Sequence, residues 1–286
     1  MTLWKKSLGQ RAAGWVRHTM TLLSPQYPVC LVCGHAARPS AGGQPTSPVD
    51  TLQLPQAVNA RLCRACRSEL SWIRSEEIQC YVCGRAEACE DCIRRGNGQI
   101  LWNRSAVRYT DAMREWLADY KYRGAERLEP LLQNMLYALY DRTSAELRGQ
   151  MADSRWKWDI VAFVPLSNMR LDERGFNQAE RLAAALAGRY GLPLASLLVR
   201  TRDSGKQSHK DRLARMRAME GLFAVEAGAS SYLAHLYRVN GGRRAVRILL
   251  LDDIYTTGST VHACASALHS CTAIPLQISV LTWARS

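Results

Sequence analysis

The stretch that most restricts the fold is Ile248-Leu249-Leu250-Leu251-Asp252-Asp253-Ile254-Tyr255-Thr256-Thr257-Gly258-Ser259-Thr260. Four aliphatic residues in succession leave no polar side for water, so they read as a short strand buried on both faces, the pattern of a central strand in a parallel sheet. Two acids end the apolar run. A hydroxyl-rich turn around Gly258 follows, and then Val261, Ala263, Cys264, Ala265 and Ala267, small residues that suit a helix packed closely on the sheet. Parallel strands need long crossover connections, so the expected fold class is α/β, a parallel sheet flanked by helices.

The same order of residues has chemical content. A turn that opens a helix presents unpaired N–H groups and the positive end of a dipole, so Thr256, Thr257, Gly258, Ser259 and Thr260 can cradle a phosphate. Asp252 and Asp253 would stand at the carboxyl end of a strand, where open α/β sheets bind ligands. There they can accept hydrogen bonds from ribose hydroxyls or help hold hydrated Mg²⁺. The plainer reading, in which the acids only cap the turn, leaves two adjacent carboxylates ending a buried strand without a partner, which is costly. A Walker A loop is excluded because no lysine follows the glycine.

At 286 residues and 47% hydrophobic content the chain can build one domain of ordinary size and a smaller one. No apolar run approaches the ~20 residues of a membrane span, and residues 1–24 lack the apolar core of a signal peptide. A cytoplasmic location is therefore expected, and it decides how the cysteines are read. Eight of the ten fall in the first third as Cys-x-x-Cys pairs, which in a reducing compartment bind metal more often than they form disulfides. Sequential pairing gives two Zn²⁺ sites, Cys30, Cys33, Cys63, Cys66 and Cys80, Cys83, Cys89, Cys92; an interleaved arrangement has the same spacing. Such closed sites leave no position for reacting water, so they serve folding or docking. Cys264 and Cys271 read as small core residues. The net charge of +13 suits anionic partners.

In chain order, residues 1–24 are basic and loosely amphipathic, and read as a helix covering the zinc module or the larger domain, with a membrane surface as the rival. Residues 25–98 form a double zinc ribbon, with a Pro/Gly-rich disordered insertion near 35–59. Residues 99–286 form the larger domain. A short strand is expected at 106–109, helices at 111–122 and 128–140, and a buried strand at 158–165. Lys121 and Arg123 read as cations at the negative end of the first helix. The loop at 166–177 holds Arg170, Arg174 and Gly175 and is placed to bind pyrophosphate, arginine matching phosphate oxygens two at a time. A helix follows at 178–190 and a strand at 197–200. From Arg200 to Arg217 seven cations meet two acids, which reads as a mobile loop able to fold over a polyphosphate. A nucleic-acid strip is the rival there, though it lacks interleaved aromatics. His209 in that loop reads as a surface histidine, and a last strand is expected at 276–281.

The Asp-Asp-Ile-Tyr-Thr-Thr-Gly-Ser-Thr segment resembles the phosphoribosyl-pyrophosphate (PRPP) motif of type I phosphoribosyltransferases. The resemblance assigns Asp252 and Asp253 to the ribose hydroxyls and Thr256, Thr257, Gly258, Ser259 and Thr260 to the 5′-phosphate. With the four Cys-x-x-Cys pairs, Val164-Pro165-Leu166 and Arg174-Gly175-Phe176-Asn177-Gln178, residues 25–286 resemble the ComF family of competence and DNA-utilisation proteins. This resemblance implies a type I phosphoribosyltransferase-like sheet preceded by a double zinc ribbon. It also implies PRPP with Mg²⁺ as ligand, Asp252, Asp253 and Arg174 as catalytic residues, and work in DNA uptake with helicase-like or recombination partners and single-stranded DNA. Two functions fit: an enzyme that transfers the phosphoribosyl group, or a binding module that recognises PRPP or nucleic acid and docks uptake partners. The long insertion between the first two cysteine pairs and the basic N-terminal extension depart from the family pattern.

Overall fold

The computed structural model describes residues 27–37, 54–87, 89–95, 98–201 and 221–286. The N-terminal extension, the middle of the Pro/Gly-rich insertion and most of the basic segment after Arg200, including His209, lie outside them. Among the described residues no helix is long and apolar enough to cross a membrane.

The expected parallel sheet forms from β1 (Trp102–Arg108), β2 (Ile160–Phe163), β5 (Val246–Tyr255) and β6 (Leu276–Arg285), in the order β1-β6-β5-β2. All three pairings are parallel. The aliphatic run is its central strand, and its side chains alternate between two cores. Leu249 and Leu251 pack with α5 (Glu129–Gln150) and α7 (Gln178–Tyr190) on one face. Ile248 and Leu250 share the other face with Val261, Cys264 and Leu268 of α9 (Ser259–Ser270) and Leu233 of α8 (Ala229–Val239). All four aliphatic residues are fully buried, which is why none is polar.

The cysteine-rich segment, with its short helices α1 (Gln56–Asn59), α2 (Arg64–Ser68) and α3 (Glu90–Arg95), is built onto this sheet. Trp72 bridges Val107 antiparallel, Ile73 N–H donates to Ala106 O at 3.0 Å, and Arg108 N–H donates to Ser71 O at 2.8 Å. The ribbon thus supplies a partner for the free edge of β1, an edge otherwise open to pairing with another chain. At the opposite edge residues 193–195 lie along β2, through Val161 N–H to Pro193 O and Ala195 N–H to Val161 O. The insertion's ends are built in as well: Ala37 and Leu54 are buried, and α1 begins at Gln56.

Several expectations are corrected. The first strand starts four residues earlier than the apolar run suggests, because Asn103 and Ser105 are buried in a polar network with Thr282. The helix expected over 128–140 continues to Gln150, with the Thr143 hydroxyl turned back onto Leu139 O. The loop expected at 166–177 contains the helix α6 (Asn168–Arg174), opened by Ser167 and closed by Gly175 in the left-handed conformation, φ 74°. The strand at 197–200 is β3 (Leu198–Arg200), and it pairs antiparallel with β4 (Phe223–Val225) in a separate two-stranded sheet.

Candidate functional site

Asp252 and Asp253 stand near the carboxyl end of β5, and α4 (Asp111–Tyr122) from the first crossover brings Lys121 to them. Lys121 Nζ forms an ion pair with Asp253 Oδ2, their side chains only 12% and 17% exposed. Asp252 accepts the N–H of Asp253 at 2.8 Å. Burial, and after it the neighbouring Asp253 charge, push the Asp252 carboxyl up to about 8, against the opposing effects of the Asp253 amide, Lys121 and Arg200. The two acids are thus unlike: Asp253 is paired with a cation, while Asp252 holds its proton well above the usual carboxylate range. Burial and the Asp253 charge also raise the Tyr109 phenol.

The turn after them has one tight requirement. Gly258 has φ 78°, and a Cβ there would lie 2.2 Å from the Tyr255 hydroxyl, so the position tolerates neither a side chain nor an ordinary backbone angle. The His262 N–H donates to Gly258 O at 3.0 Å as the first helical bond of α9, and the amides of Gly258, Ser259, Thr260 and Val261 precede it. Thr257 Oγ1 lies 2.7 Å from Ser259 Oγ and accepts the Ser259 N–H at 3.4 Å, and Thr256 is exposed. The stretch of Thr256, Thr257, Gly258, Ser259 and Thr260 is therefore a glycine turn at a helix start, beside two carboxylates.

Arg174 ends α6 and is held in place. Its Nη1 donates to Gln178 Oε1 at 2.9 Å and its Nη2 to Tyr122 Oη at 2.5 Å, while its guanidinium lies 4.8 Å from the Tyr122 ring centroid. Tyr122 follows Lys121 in the chain, so Arg174 reaches the same end of α4. Among the described residues no contact joins it to Asp252 or Asp253. Its Nε is buried without a partner.

The cysteines assemble as sequential pairing predicts. Cys30, Cys33, Cys63 and Cys66 form one cluster and Cys80, Cys83, Cys89 and Cys92 another, the sulfurs of each lying within 4.8 Å of one another. Four sulfurs so placed fit a tetrahedral ion such as Zn²⁺. In the first tetrad burial raises the Cys33 and Cys66 thiols, whereas at Cys30 the amides of Cys63, Cys33 and Val32 outweigh burial and bring the thiol to about 7, toward the thiolate a metal needs. In the second, Gly84 turns the knuckle so closely onto β1 that a Cβ would lie 2.5 Å from Asn103 O.

Sequence reasoning passed over three residues here. Lys121 looked like a helix-end cation. Arg200, on β3, acts electrostatically on Asp252, where the sequence shows only the end of a strand and the start of a basic segment. Arg285, 4% exposed, donates to the carbonyls of Tyr255 and Thr256 and to Cys83, and no motif surrounds it. A cavity of about 280 Å³ lined by Tyr81, Trp102, Arg104, Glu146 and neighbours opens between the ribbon and α5, toward the amino end of β1 and away from the acidic pair.

No protein-family model matches the chain. It is 30% identical over 217 residues to competence protein ComFC of Bacillus subtilis, covering 73% of this chain and 78% of that protein. Against competence protein ComFC of Streptococcus pneumoniae the identity is 28% over 239 residues, covering 82% and 90%. Among solved structures, the adenine phosphoribosyltransferase of Thermoanaerobacter pseudethanolicus is 16% identical, covering 55% of this chain and 84% of that one at a TM-score of 0.27. So loose a superposition adds no weight; the strand order and the placement of the acidic pair carry the fold class. With a central parallel strand ending in two acids and a glycine turn, two cysteine tetrads, and 30% identity across more than two thirds of ComFC, the chain belongs to the ComF family.

Proposed function

We propose that the chain binds PRPP with Mg²⁺ where the end of β5 meets the start of α9, and transfers the phosphoribosyl group to an acceptor during DNA uptake. The observation that carries the reading is the succession, on one central strand, of a cation-paired carboxylate and a glycine turn whose amides precede the first helical bond. Thr256, Thr257, Gly258, Ser259 and Thr260 take the 5′-phosphate, with backbone donors and hydroxyls at the positive end of α9. Asp252 and Asp253 take the ribose hydroxyls. Oxygen donors of this kind fit Mg²⁺, which supplies neutralising charge to the departing pyrophosphate.

Within this reading the ion pair with Lys121 holds Asp253 aimed until the ribose arrives. Asp252, its carboxyl held above the usual carboxylate range by burial and by the Asp253 charge, meets the second ribose hydroxyl. Arg174 releases Tyr122 and turns its fork to the pyrophosphate, stabilising charge that grows as the bond to C1 breaks. No side chain needs to form a covalent bond. The cysteine tetrads hold Zn²⁺ and brace the sheet edge. Within this reading the protein works in the cytoplasm, with single-stranded DNA and helicase-like or recombination proteins as partners, in keeping with the name competence protein that its relatives carry.

Pyrophosphate release measured with PRPP, Mg²⁺ and a panel of nucleobases and amines tests this. Turnover abolished by Asp253→Asn supports transfer. Tight PRPP binding without turnover on any acceptor turns the reading to a binding module that docks uptake partners.

A further inference from the structure

Arg285 joins the second cysteine tetrad to the phosphate turn. Its Nη1 donates to Tyr255 O at 3.0 Å and to Thr256 O at 2.8 Å, its Nε to Cys83 O at 3.2 Å and its Nη2 to Cys83 Sγ at 3.4 Å. The guanidinium also lies 4.9 Å from the Tyr255 ring centroid. Its Nη1 also donates to the Ser286 oxygen, and no aspartate or glutamate side chain pairs with it among the described residues. Four thiolates around one divalent ion carry a net charge of about −2, so the loaded second tetrad adds negative charge against this buried cation through Cys83.

The geometry has a second half. A peptide unit is planar and trans, so fixing a carbonyl fixes the N–H on its far side. By holding the carbonyls of Tyr255 and Thr256, Arg285 orients the amides of Thr256 and Thr257, away from itself. Among the described residues the first tetrad has no comparable link: its ties run to α5 and its neighbourhood, such as Arg127 Nη2 to Val32 O at 2.8 Å.

We infer that Arg285 is a positioning residue through which the metal state of the second tetrad sets the shape of the phosphate turn, so that a sugar phosphate binds tightly only when that tetrad is loaded. This rests on the PRPP reading for the identity of the ligand, but the link between tetrad and turn does not. The experiment therefore has two arms on the full zinc-loaded chain: hydrogen exchange of the amides at 256–261, and calorimetric titration with PRPP and Mg²⁺. Cys92→Ser and Arg285→Met are expected to speed exchange at the turn and weaken PRPP about tenfold or more, with exchange at 131–139 of α5 unchanged. Arg285→Lys, which keeps the charge but loses the fork, is expected to fall between parent and Arg285→Met. Cys33→Ser is expected to leave turn exchange as in the parent. Unaltered turn exchange in both Cys92→Ser and Arg285→Met, or an equal effect from Cys33→Ser, overturns the inference. A parent that takes up no PRPP sinks the ligand assignment, and the exchange arm still decides the coupling. Should Cys92→Ser fail to fold, the two Arg285 variants decide it alone.

Discussion

Asp252 departs from the ordinary behaviour of an aspartate. Its carboxyl is pushed up by burial and by Asp253, so between about pH 4 and 8 the folded chain holds a proton that the unfolded chain has lost. Stability then falls as pH rises through that window and levels off above it. Asp252→Asn removes the ionisation, and urea unfolding at pH 5 and pH 8 is expected to show the parent losing stability relative to the variant, by at most about 1.4 kcal/mol per pH unit. An equal pH slope in both would contradict the assignment. Lys121→Met tests the other acid: stripping a largely covered Asp253 of its cation is expected to cost on the order of 2 kcal/mol, with Lys121→Arg recovering most of it in the same urea measurement. Sequence alone hid this pair, because a lysine in the last turn of a helix already has a sufficient local reason to be there.

At the scale of elements, the ribbon and the sheet edge depend on each other. The N–H groups of Ile73 and Arg108 find their acceptors across the junction between ribbon and β1, and so does Asn103 N–H, which donates to Val82 O at 2.7 Å. Chelation of the metal is therefore expected to raise amide exchange at Ile73, Asn103 and Arg108 while Leu249 and Val280 in the sheet centre stay protected. Loss of protection spread evenly over the sheet would show that the ribbon holds the whole fold rather than its edge. The elements also show what local sequence can and cannot report. The run from Ile248 to Leu251 announced a two-faced central strand because burial on both sides leaves a continuous apolar signal. The helix α6 had signals at both ends, Ser167 and Gly175, but Arg170 and Arg174 between them drew the reading toward a binding loop. The strand β3 was legible, whereas its partner was not: Phe223-Ala224-Val225 is too short to show a period, and pairing is a tertiary fact.

Across the whole molecule the fold class, the sequential cysteine tetrads and the acidic pair beside its glycine turn were readable because each rests on residue types that local chemistry constrains. The links between them were not, since Lys121 with Asp253, Arg174 with Tyr122 and Arg285 with Cys83 are separated by long stretches of chain and carry no spacing rule. Those links make one assembly of the tetrad, the turn and the acids, and the central claim is that this assembly grips a sugar phosphate. The most direct test is calorimetric titration of the zinc-loaded chain with PRPP in Mg²⁺, repeated with Gly258→Ala after circular dichroism confirms that the variant is folded. One PRPP per chain, with affinity reduced at least about tenfold by a methyl group that collides with Tyr255, is the predicted result. No heat from the parent, or equal affinity in parent and variant, would contradict it.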